Sequence, residues 1–154
     1  MGKQLTTPQG KASWPSLREP DTRFDSDGFY SCKLHVSESD FDKFNAEVAP
    51  IVEAAYQAEC KRQNVSELRM APSNPIRVSD EGKFEIYAKQ KARVHTRRSG
   101  TLEFEVAAID VDGNECDMPD VGSGSTIKMA VEVSTWYMAS QGFGYSLRLQ
   151  AVQI

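Results

Sequence analysis

The stretch Lys83-Phe-Glu-Ile-Tyr-Ala-Lys-Gln-Lys-Ala-Arg-Val-His95 decides the fold class, because its residues alternate between two kinds of side chain. A period of two is typical of a half-buried β-strand. The apolar face of this strand would hold Phe84, Ile86, Ala88, Ala92 and Val94. The opposite face would hold Glu85, Tyr87, Lys89, Lys91, Arg93 and His95. The stretch therefore predicts a strand with one side in the core and a basic side toward solvent.

The same alternation recurs on both sides of this stretch. It predicts strands over 29–36, about 102–108, about 125–133 and about 143–154, and a short edge strand at Lys11–Pro15. Residues 97–100 and the pair Asp112-Gly113 predict turns. The residues that we expect to point inward are Tyr30, Cys32, Leu34, Val36, Leu102, Phe104, Val106, Ala108, Ile127, Met129, Val131, Val133, Tyr145, Leu147 and Leu149.

A helix is predicted over about 39–63, where apolar residues such as Phe41, Phe44 and Val48 recur at intervals of three or four. Pro50 lies inside this helix and predicts a kink or a break, because proline has no N–H to donate. Short strands with glycine-rich turns and one helix are typical of a small barrel. We therefore expect a mainly β single domain over 1–154, an OB-fold-like five-stranded antiparallel barrel, with 1–10 flexible.

Charge is distributed unevenly along the chain. The whole chain has a formal net charge of −4, which by itself argues against a nucleic-acid-binding protein. Between residues 61 and 98, however, ten Lys and Arg residues outnumber four Asp and Glu residues, so this segment has a net charge of +6. A basic segment in an otherwise acidic chain indicates a surface for an anionic partner.

No motif in the sequence predicts catalysis, a cofactor or a metal site. The chain has three cysteines, Cys32, Cys60 and Cys116. Their odd number and wide spacing indicate free thiols in a reducing compartment. The two histidines, His35 and His95, are too far apart in sequence to indicate a zinc site or a catalytic triad. The chain also lacks an apolar run of membrane-spanning length, so we expect no membrane partner.

The basic face of the opening stretch has the composition of a nucleic-acid site. Single-stranded nucleic acid needs cations along its phosphates and flat rings against which its bases stack. Tyr87 offers a ring, and the basic run continues past the strand; the predicted phosphate contacts are Lys89, Lys91, Arg93, Arg97 and Arg98. The alternative is an ordinary solvated strand whose lysines protect a sheet edge.

Four aromatic residues crowd a glycine-containing turn near the end of the chain. In an OB-fold, the hairpin between the last two strands helps to grip the ligand. Strand alternation assigns Tyr145 to the core, whereas Trp136, Tyr137 and Phe143 are predicted to stack on bases. Trp14 is a weaker stacking candidate. Weaker phosphate candidates at outward strand positions are Lys33, Lys128 and Arg148.

Several short motifs follow one another along nearly the whole chain. They are Trp14-Pro-Ser-Leu-Arg-Glu-Pro-Asp21, Gly28-Phe-Tyr30, Ile109-Asp-Val-Asp-Gly-Asn114, Gly122-Ser-Gly-Ser-Thr-Ile-Lys-Met-Ala-Val131 and Gly144-Tyr-Ser-Leu-Arg-Leu-Gln-Ala-Val152. In this order they resemble the replicative single-stranded DNA-binding proteins of short-tailed bacteriophages.

The resemblance implies an OB-fold without catalytic activity that coats exposed single-stranded DNA during phage DNA replication and recombination. It places the protein in the cytoplasm of the infected bacterial host. It also implies an acidic C-terminal tail that contacts phage replication proteins. The present sequence shows no such tail, so we expect those partners only if the full-length protein carries one. RNA and duplex DNA stay open as further ligands.

Two rival hypotheses come from different functional classes. One is a metal-dependent nuclease that uses Asp110, Asp112 and Asp117, although the acidic run 110–117 is more typical of a hairpin turn than of a metal loop. The other is a structural or protein-interaction module whose rings bury against a protein partner.

Overall fold

The computed structural model describes residues 4–23, 26–72, 74–98 and 100–154, which form eleven strands and one helix. The mainly β fold with one helix predicted from the sequence is confirmed. In chain order the elements are β1 Gln4–Thr6, β2 Gly10–Asp21, β3 Phe29–Val36, α1 Glu38–Gln63, β4 Ile76–Val78, β5 Phe84–Lys91, β6 Arg93–Thr96, β7 Gly100–Glu103, β8 Ala107–Ile109, β9 Glu115–Cys116, β10 Thr126–Met138 and β11 Gly142–Gln153.

Five of these strands are hydrogen-bonded in a ring. β2 pairs with β3, β3 with β5, β5 with β11, β11 with β10, and β10 with β2. The pairing of β5 with β11 is parallel, and the other four are antiparallel. Parallel neighbours need a long crossover connection, which the segment from β6 to β10 supplies.

The expectation of five strands, all antiparallel, is therefore wrong. Four further strands, β1, β4, β8 and β9, extend the sheet to nine, and β6 and β7 form a separate two-stranded sheet. β4 had no signal in the alternation pattern, because it has only three residues and only its first, Ile76, is buried. Short strands of this kind are added by tertiary pairing rather than by their own period.

The helix α1 is continuous from Glu38 to Gln63, so the predicted break at Pro50 does not occur. At its N-terminus the hydroxyl of Ser37 accepts a hydrogen bond from the N–H of Asp40 at 3.2 Å. At its C-terminus Asn64 adopts a left-handed conformation with φ 57°. Phe44 and Val48 are buried before the proline, so packing on the sheet holds the helix across the lost hydrogen bond.

The core is built from the inward residues of the strands, largely as the alternation predicts. Leu34, Ile86, Met129, Val131 and Leu149 are all completely buried. Leu102, Phe104 and Val94 are exceptions, because Leu102 and Phe104 are 39% and 37% exposed and Val94 is only half-buried. They belong to the β6–β7 hairpin, which leaves the main sheet, so their predicted place in the core is wrong. Val106 and Ala108, after the hairpin, are buried as expected.

The N-terminal segment is attached to the sheet. Residues 4–6 form β1, which pairs with β10, and Thr7 is buried. Residues 1–3 of the segment predicted to be flexible lie outside the described residues. The predicted edge strand at Lys11–Pro15 is part of the longer β2, which lies between β10 and β3. Its register shifts between Ser13 and Ser16 accommodate Pro15.

Two smaller predictions are confirmed, the β8–β9 turn and the free thiols. Asp112-Gly113 lies in the turn of the β8–β9 hairpin, where Gly113 has a φ of 88°. Cys32, Cys60 and Cys116 are free, and the first two are buried. No helix among the described residues combines the length and the apolar character that a membrane crossing requires.

Candidate nucleic-acid interface

A groove of about 740 Å³ lies over the outer sides of β5, β10 and β11. Because side chains alternate along a strand, every second residue of each strand reaches it. We call it the basic groove, and its lining residues are Phe29, Tyr87, Lys89, Gln90, Lys91, Val94, Phe104, Glu132, Ser134, Ser146, Arg148 and Gln150. The surface combines cations, rings and uncharged hydrogen-bonding groups.

A second cavity of about 320 Å³ adjoins the basic groove and shares Tyr87, Lys89 and Ser146 with it. Trp136 lines this second cavity. The structure therefore brings the aromatic turn and the basic strand, which are about fifty residues apart in sequence, to one continuous surface. We call the part around Trp136 the tryptophan end of the groove.

The cations of the groove differ in how they are neutralised. Lys89 and Lys91 are exposed and form no salt bridge with any residue that the structure describes. Arg148 lies directly across the parallel β5–β11 pairing from Lys89, and its guanidinium is 3.7 Å from the carboxylate of Glu132. Adjacent cations with little internal neutralisation create a positive potential that attracts polyanions.

Tyr87 lies on the strand beside Lys89 and is half-buried. Burial raises the pKa of its phenol, although a hydrogen bond with Ser31 opposes the shift. The phenol is therefore neutral over the physiological pH range and offers an uncharged ring to the groove. Its ring is held in place by the same packing that desolvates its hydroxyl.

The predicted ribbon of alternating basic residues ends at Lys91. Ala92 is buried; its N–H donates to the carbonyl of Gly28 at 3.0 Å, and its own carbonyl accepts from Phe104 at 2.9 Å. These bonds bend the chain between β5 and β6, which reverses the alternation. Val94 then lines the basic groove, which the alternation had assigned to Arg93.

Arg93 and His95 are consequently engaged elsewhere. The guanidinium of Arg93 forms a salt bridge with Glu103 at 3.3 Å, across the β6–β7 hairpin. Nε2 of His95 lies 2.9 Å from a carboxylate oxygen of Asp27, and Nδ1 lies 3.0 Å from the hydroxyl of Thr101. The prediction that they continue the cationic row of Lys89 and Lys91 is wrong.

The remaining basic candidates lie outside the groove. Arg97 and Arg98 are exposed at the tip of the β6–β7 hairpin and form no salt bridge with a described residue. Lys128 is exposed on β10, opposite Gln153 of β11. The ammonium of Lys33 is 3.8 Å from the carboxylate of Glu85. None of the four lines the basic groove.

Glu85 explains why Lys33 is engaged. Its carboxylate is buried although alternation places it on the outer side of β5. It lies 2.8 Å from Nε2 of His35 and 3.4 Å from the guanidinium of Arg77. Burial opposes ionisation, but the hydrogen bond from His35 and the charges of Lys33 and Arg77 outweigh it and lower the pKa of Glu85.

Phe143 is a core residue, which corrects its prediction as a stacking ring. It is only 2% exposed and packs edge-on against Tyr56 of α1, with ring centroids 5.4 Å apart. Its N–H donates to the carbonyl of Arg69 at 2.7 Å, and its carbonyl accepts from Ala71 at 2.8 Å. The chain that follows α1 therefore covers this ring, which no local sequence signal revealed.

Tyr137 and Tyr145 differ in their position relative to the groove: Tyr145 lines the second cavity beside Trp136, whereas Tyr137 lines neither cavity. Tyr137 pairs with Phe143 across the β10–β11 hairpin, on the side of β10 opposite Trp136. Tyr145 packs against the core as predicted, and its hydroxyl donates to the side chain of Asn74 at 2.7 Å. Burial raises the pKa of Tyr145 to about 12.

Trp136 is held in a defined position at its end of the groove. Its indole N–H lies 3.4 Å from the hydroxyl of Ser146, the acceptor on the neighbouring strand. The ring lies across Gly144, where a Cβ atom would come within 2.6 Å of Cζ2. Glycine is thus required by the close approach of the indole to the backbone of β11.

Trp14 lies in a different environment. Its side chain is 83% exposed, and its φ of 50° is unusual for a bulky residue. The backbone N–H of Trp14 donates to the hydroxyl of Ser123 at 3.0 Å. It lines a separate cavity with Lys33, His35 and Glu85.

Sequence reasoning missed several residues of the groove. Phe29 was assigned no role, yet it is the direct cross-strand neighbour of Lys91. Phe104 was expected in the core. Glu132 and Ser134 could have been found from alternation, because they share the outer side of β10 with Trp136.

Asp110 has a structural role in the acidic run. One of its carboxylate oxygens accepts hydrogen bonds from the N–H groups of Asp112 and Asn114, both at 3.0 Å. It shapes the β8–β9 turn. Within the described ranges, no cluster of three or more His, Cys, Asp or Glu side chains could hold a metal ion.

Comparisons with known proteins relate this chain to solved structures. The chain matches no protein-family model and no curated protein sequence. It is similar in structure to gp2.5, a single-stranded DNA-binding protein encoded by bacteriophage T7, with a TM-score of 0.84, 19% identity and coverage of 100% of this chain and 86% of that one.

The single-stranded DNA-binding protein of bacteriophage Enc34 is also similar. In its complex with single-stranded DNA the TM-score is 0.69 at 14% identity, covering 97% of this chain and 84% of that one. For a second structure of the Enc34 protein the TM-score is 0.62 at 15% identity, covering 97% of this chain and 79% of that one. At these identities the likeness shows that the chain has the fold of these phage proteins.

Proposed function

We propose that this chain is a non-enzymatic, sequence-tolerant single-stranded DNA-binding protein that coats exposed strands during phage DNA replication and recombination. The observation that carries the proposal is the basic groove, in which Lys89 and Lys91 form no salt bridge with a described residue and lie beside the rings of Tyr87 and Trp136. Solved structures with this fold include a phage protein in complex with single-stranded DNA. The protein would act in the cytoplasm of the infected host.

The proposed mechanism divides the work between cations and rings. Lys89, Lys91 and Arg148 would neutralise phosphates, which releases counter-ions and makes binding sensitive to salt. Tyr87 and Trp136 would stack on bases, at about 1–3 kcal/mol per base. Every base has a flat face, so stacking tolerates any sequence. The strand would run along the outer side of β5 from the tryptophan end toward Lys91.

The arrangement of the strands supports this division of roles between cations and rings. We propose that the five-strand ring is an OB-fold barrel and that residues 1–154 are one domain. The β10–β11 hairpin would then be the loop between the last two barrel strands, which in this fold borders the ligand. That places Trp136 where OB-folds grip a strand.

The other candidate residues take lesser roles in the proposal. Arg97 and Arg98 are exposed at a hairpin tip and could meet phosphates that leave the groove. Arg93 and Lys33 are engaged in salt bridges, so their contribution would be small. Tyr137, Lys128 and Trp14 lie outside the groove and are not part of the proposed path. Contacts with phage replication proteins are proposed only for a form of the protein that carries an acidic tail.

A binding panel tests the function. Fluorescence anisotropy would compare oligo-dT, the matching duplex and an oligo-U RNA at two salt concentrations, with a magnesium arm in which the length of the labelled DNA is checked on a gel. We expect oligo-dT to bind most tightly, to lose affinity steeply with salt and to stay intact. Equal affinity for duplex and single strand, or cleavage with magnesium, would contradict the proposal.

A further inference from the structure

Two phenylalanines lie at the end of the basic groove that is remote from Trp136. Phe29 is half-buried on β3, directly across from Lys91 of β5. Phe104 follows β7 and is 37% exposed although it is a large apolar residue. Both line the groove together with Val94. Partly exposed rings in a groove are the feature from which bases gain stacking energy.

This end repeats the arrangement of the tryptophan end. There, Tyr87 and Trp136 accompany Lys89; here, Phe29 and Phe104 accompany Lys91. Tyr87 and Lys91 are four residues apart on one strand, which is roughly 13 Å. That is several times the roughly 3.4 Å between neighbouring units of a stacked strand, so the two ends would contact different bases.

The position of Phe104 depends on the bend at Ala92. The N–H of Phe104 donates to the carbonyl of Ala92 at 2.9 Å, which joins the end of the β6–β7 hairpin to the end of β5. The same bend turns Val94 into the groove. A hairpin attached in this way adds an apolar wall beside Lys91, and it carries Arg97 and Arg98 at its tip.

We infer that Phe29 and Phe104 form a second base-stacking subsite, with Lys91 binding the adjacent phosphate. Its ligand is a nucleobase of a single strand whose other bases occupy the tryptophan end. The inference rests on the proposed function and extends it, because it assigns two residues for which the sequence predicted no contact with DNA. The apolar wall and the ammonium of Lys91, which no described carboxylate pairs with, match a flat base linked to a phosphate.

The test separates stacking from support of the hairpin. Affinity is measured for oligo-dT of about twelve nucleotides, within the roughly 4–16 that one such domain covers, and for an abasic oligonucleotide of the same length. Phe104→Ala should weaken oligo-dT binding about 5- to 150-fold and leave abasic binding unchanged. Phe104→Tyr, which keeps the ring, should retain the affinity. Leu102→Ala is the matched control, because Leu102 is exposed on the same hairpin but does not line the groove.

Each outcome decides a different question. Equal loss for the two oligonucleotides would overturn the inference, because Phe104 would then only support the hairpin. No loss for either would overturn it as well, while the proposed function would stand. Failure of the unsubstituted protein to bind oligo-dT would instead refute the proposed function. Phe104→Leu, which keeps apolar volume without a flat ring, is used if the alanine variant does not fold, and Phe29→Leu tests the partner ring in the same way.

Discussion

Arg148 and Glu132 form a salt bridge inside the basic groove, with 3.7 Å between Nη1 and Oε1. The bridge joins neighbouring strands, β11 and β10, because the two residues are directly paired. It places a carboxylate among cations proposed to bind phosphates. Under the proposed function, Glu132 would therefore compete with the DNA backbone for Arg148.

Removal of this carboxylate should strengthen DNA binding. We expect Glu132→Gln to raise the affinity for oligo-dT by up to about 1 kcal/mol at low salt, as for a surface ion pair. The salt dependence should steepen by about 0.7 in log–log slope, because one more cation becomes free to neutralise a phosphate. Anisotropy titrations at several salt concentrations measure both. Glu47→Gln on the exposed side of α1 is the control, and equal affinity for both variants would refute the competition.

Loss of the groove lysines should have the opposite effect. Lys89→Ala and Lys91→Ala should each weaken oligo-dT binding and make the salt slope about 0.7 less steep, since each would release one phosphate contact. Lys43→Ala, an exposed lysine on α1, should change neither quantity. The same titration series measures all three variants. A salt slope that is unaffected by Lys89→Ala would mean that the phosphates lie elsewhere.

The two tryptophans should differ sharply. Trp136→Ala should weaken binding by about 1–3 kcal/mol through lost stacking, with little change in melting temperature. Trp14→Ala is the matched control, and we expect it to leave affinity unchanged because Trp14 lines a separate cavity. Quenching of tryptophan emission by oligo-dT should persist in the Trp14 variant. If the quenching instead persists in the Trp136→Ala variant, Trp14 rather than Trp136 contacts the DNA, and the prediction is wrong.

Gly144→Ala should disturb Trp136 without touching DNA directly. The new Cβ would lie 2.6 Å from Cζ2 of the indole and 3.1 Å from Cβ of Ala71. Overpacking of this kind costs about 1–3 kcal/mol of stability. We expect a shifted tryptophan emission spectrum and weaker oligo-dT binding by a folded protein. Unchanged emission would show that the backbone, not the indole, moves.

Phe143→Ala should destabilise the fold and leave the binding surface intact. A buried phenylalanine replaced by alanine costs about 3–5 kcal/mol, and urea unfolding measures this loss. The affinity per folded molecule should match that of the unsubstituted protein. Weaker binding by a fully folded variant would restore Phe143 as a contact residue.

Acid should weaken the fold through Glu85. Its pKa is lowered in the folded protein, so its contribution to stability is present above its usual pKa of 4.5 and is lost as the pH falls through the lower, folded value. We expect Glu85→Gln to lower the free energy of unfolding by about 1–3 kcal/mol near neutral pH. As the pH falls below about 4.5, the stability difference between the variant and the unsubstituted protein should shrink, and it should vanish below the folded pKa. A difference in the free energy of unfolding between the two proteins that stays constant at all pH values would contradict this account.

Local patterns predicted the elements well where the pattern is long. The boundaries of β3, α1 and β11 lie within about two residues of the prediction. In each of these elements eight or more residues follow one period, and α1 also begins at a capping residue. Of the kink or break predicted at Pro50, the break does not occur, because Phe44 and Val48 hold the helix by packing on the sheet. The parallel pairing of β5 with β11 had no local signal, since strand direction depends on the whole crossover.

The sequence by itself determined the mainly β class, the long helix, the uneven charge and the residue types that suit a single strand of nucleic acid. These depend on period and composition, which can be read within a short window. Only the tertiary structure decided which residues share the groove. The bonds of Ala92 to Gly28 and Phe104 end the basic row at Lys91, and the chain after α1 buries Phe143 while Trp136 remains beside Tyr87. Such contacts join distant segments, so alternation along one strand cannot reveal them.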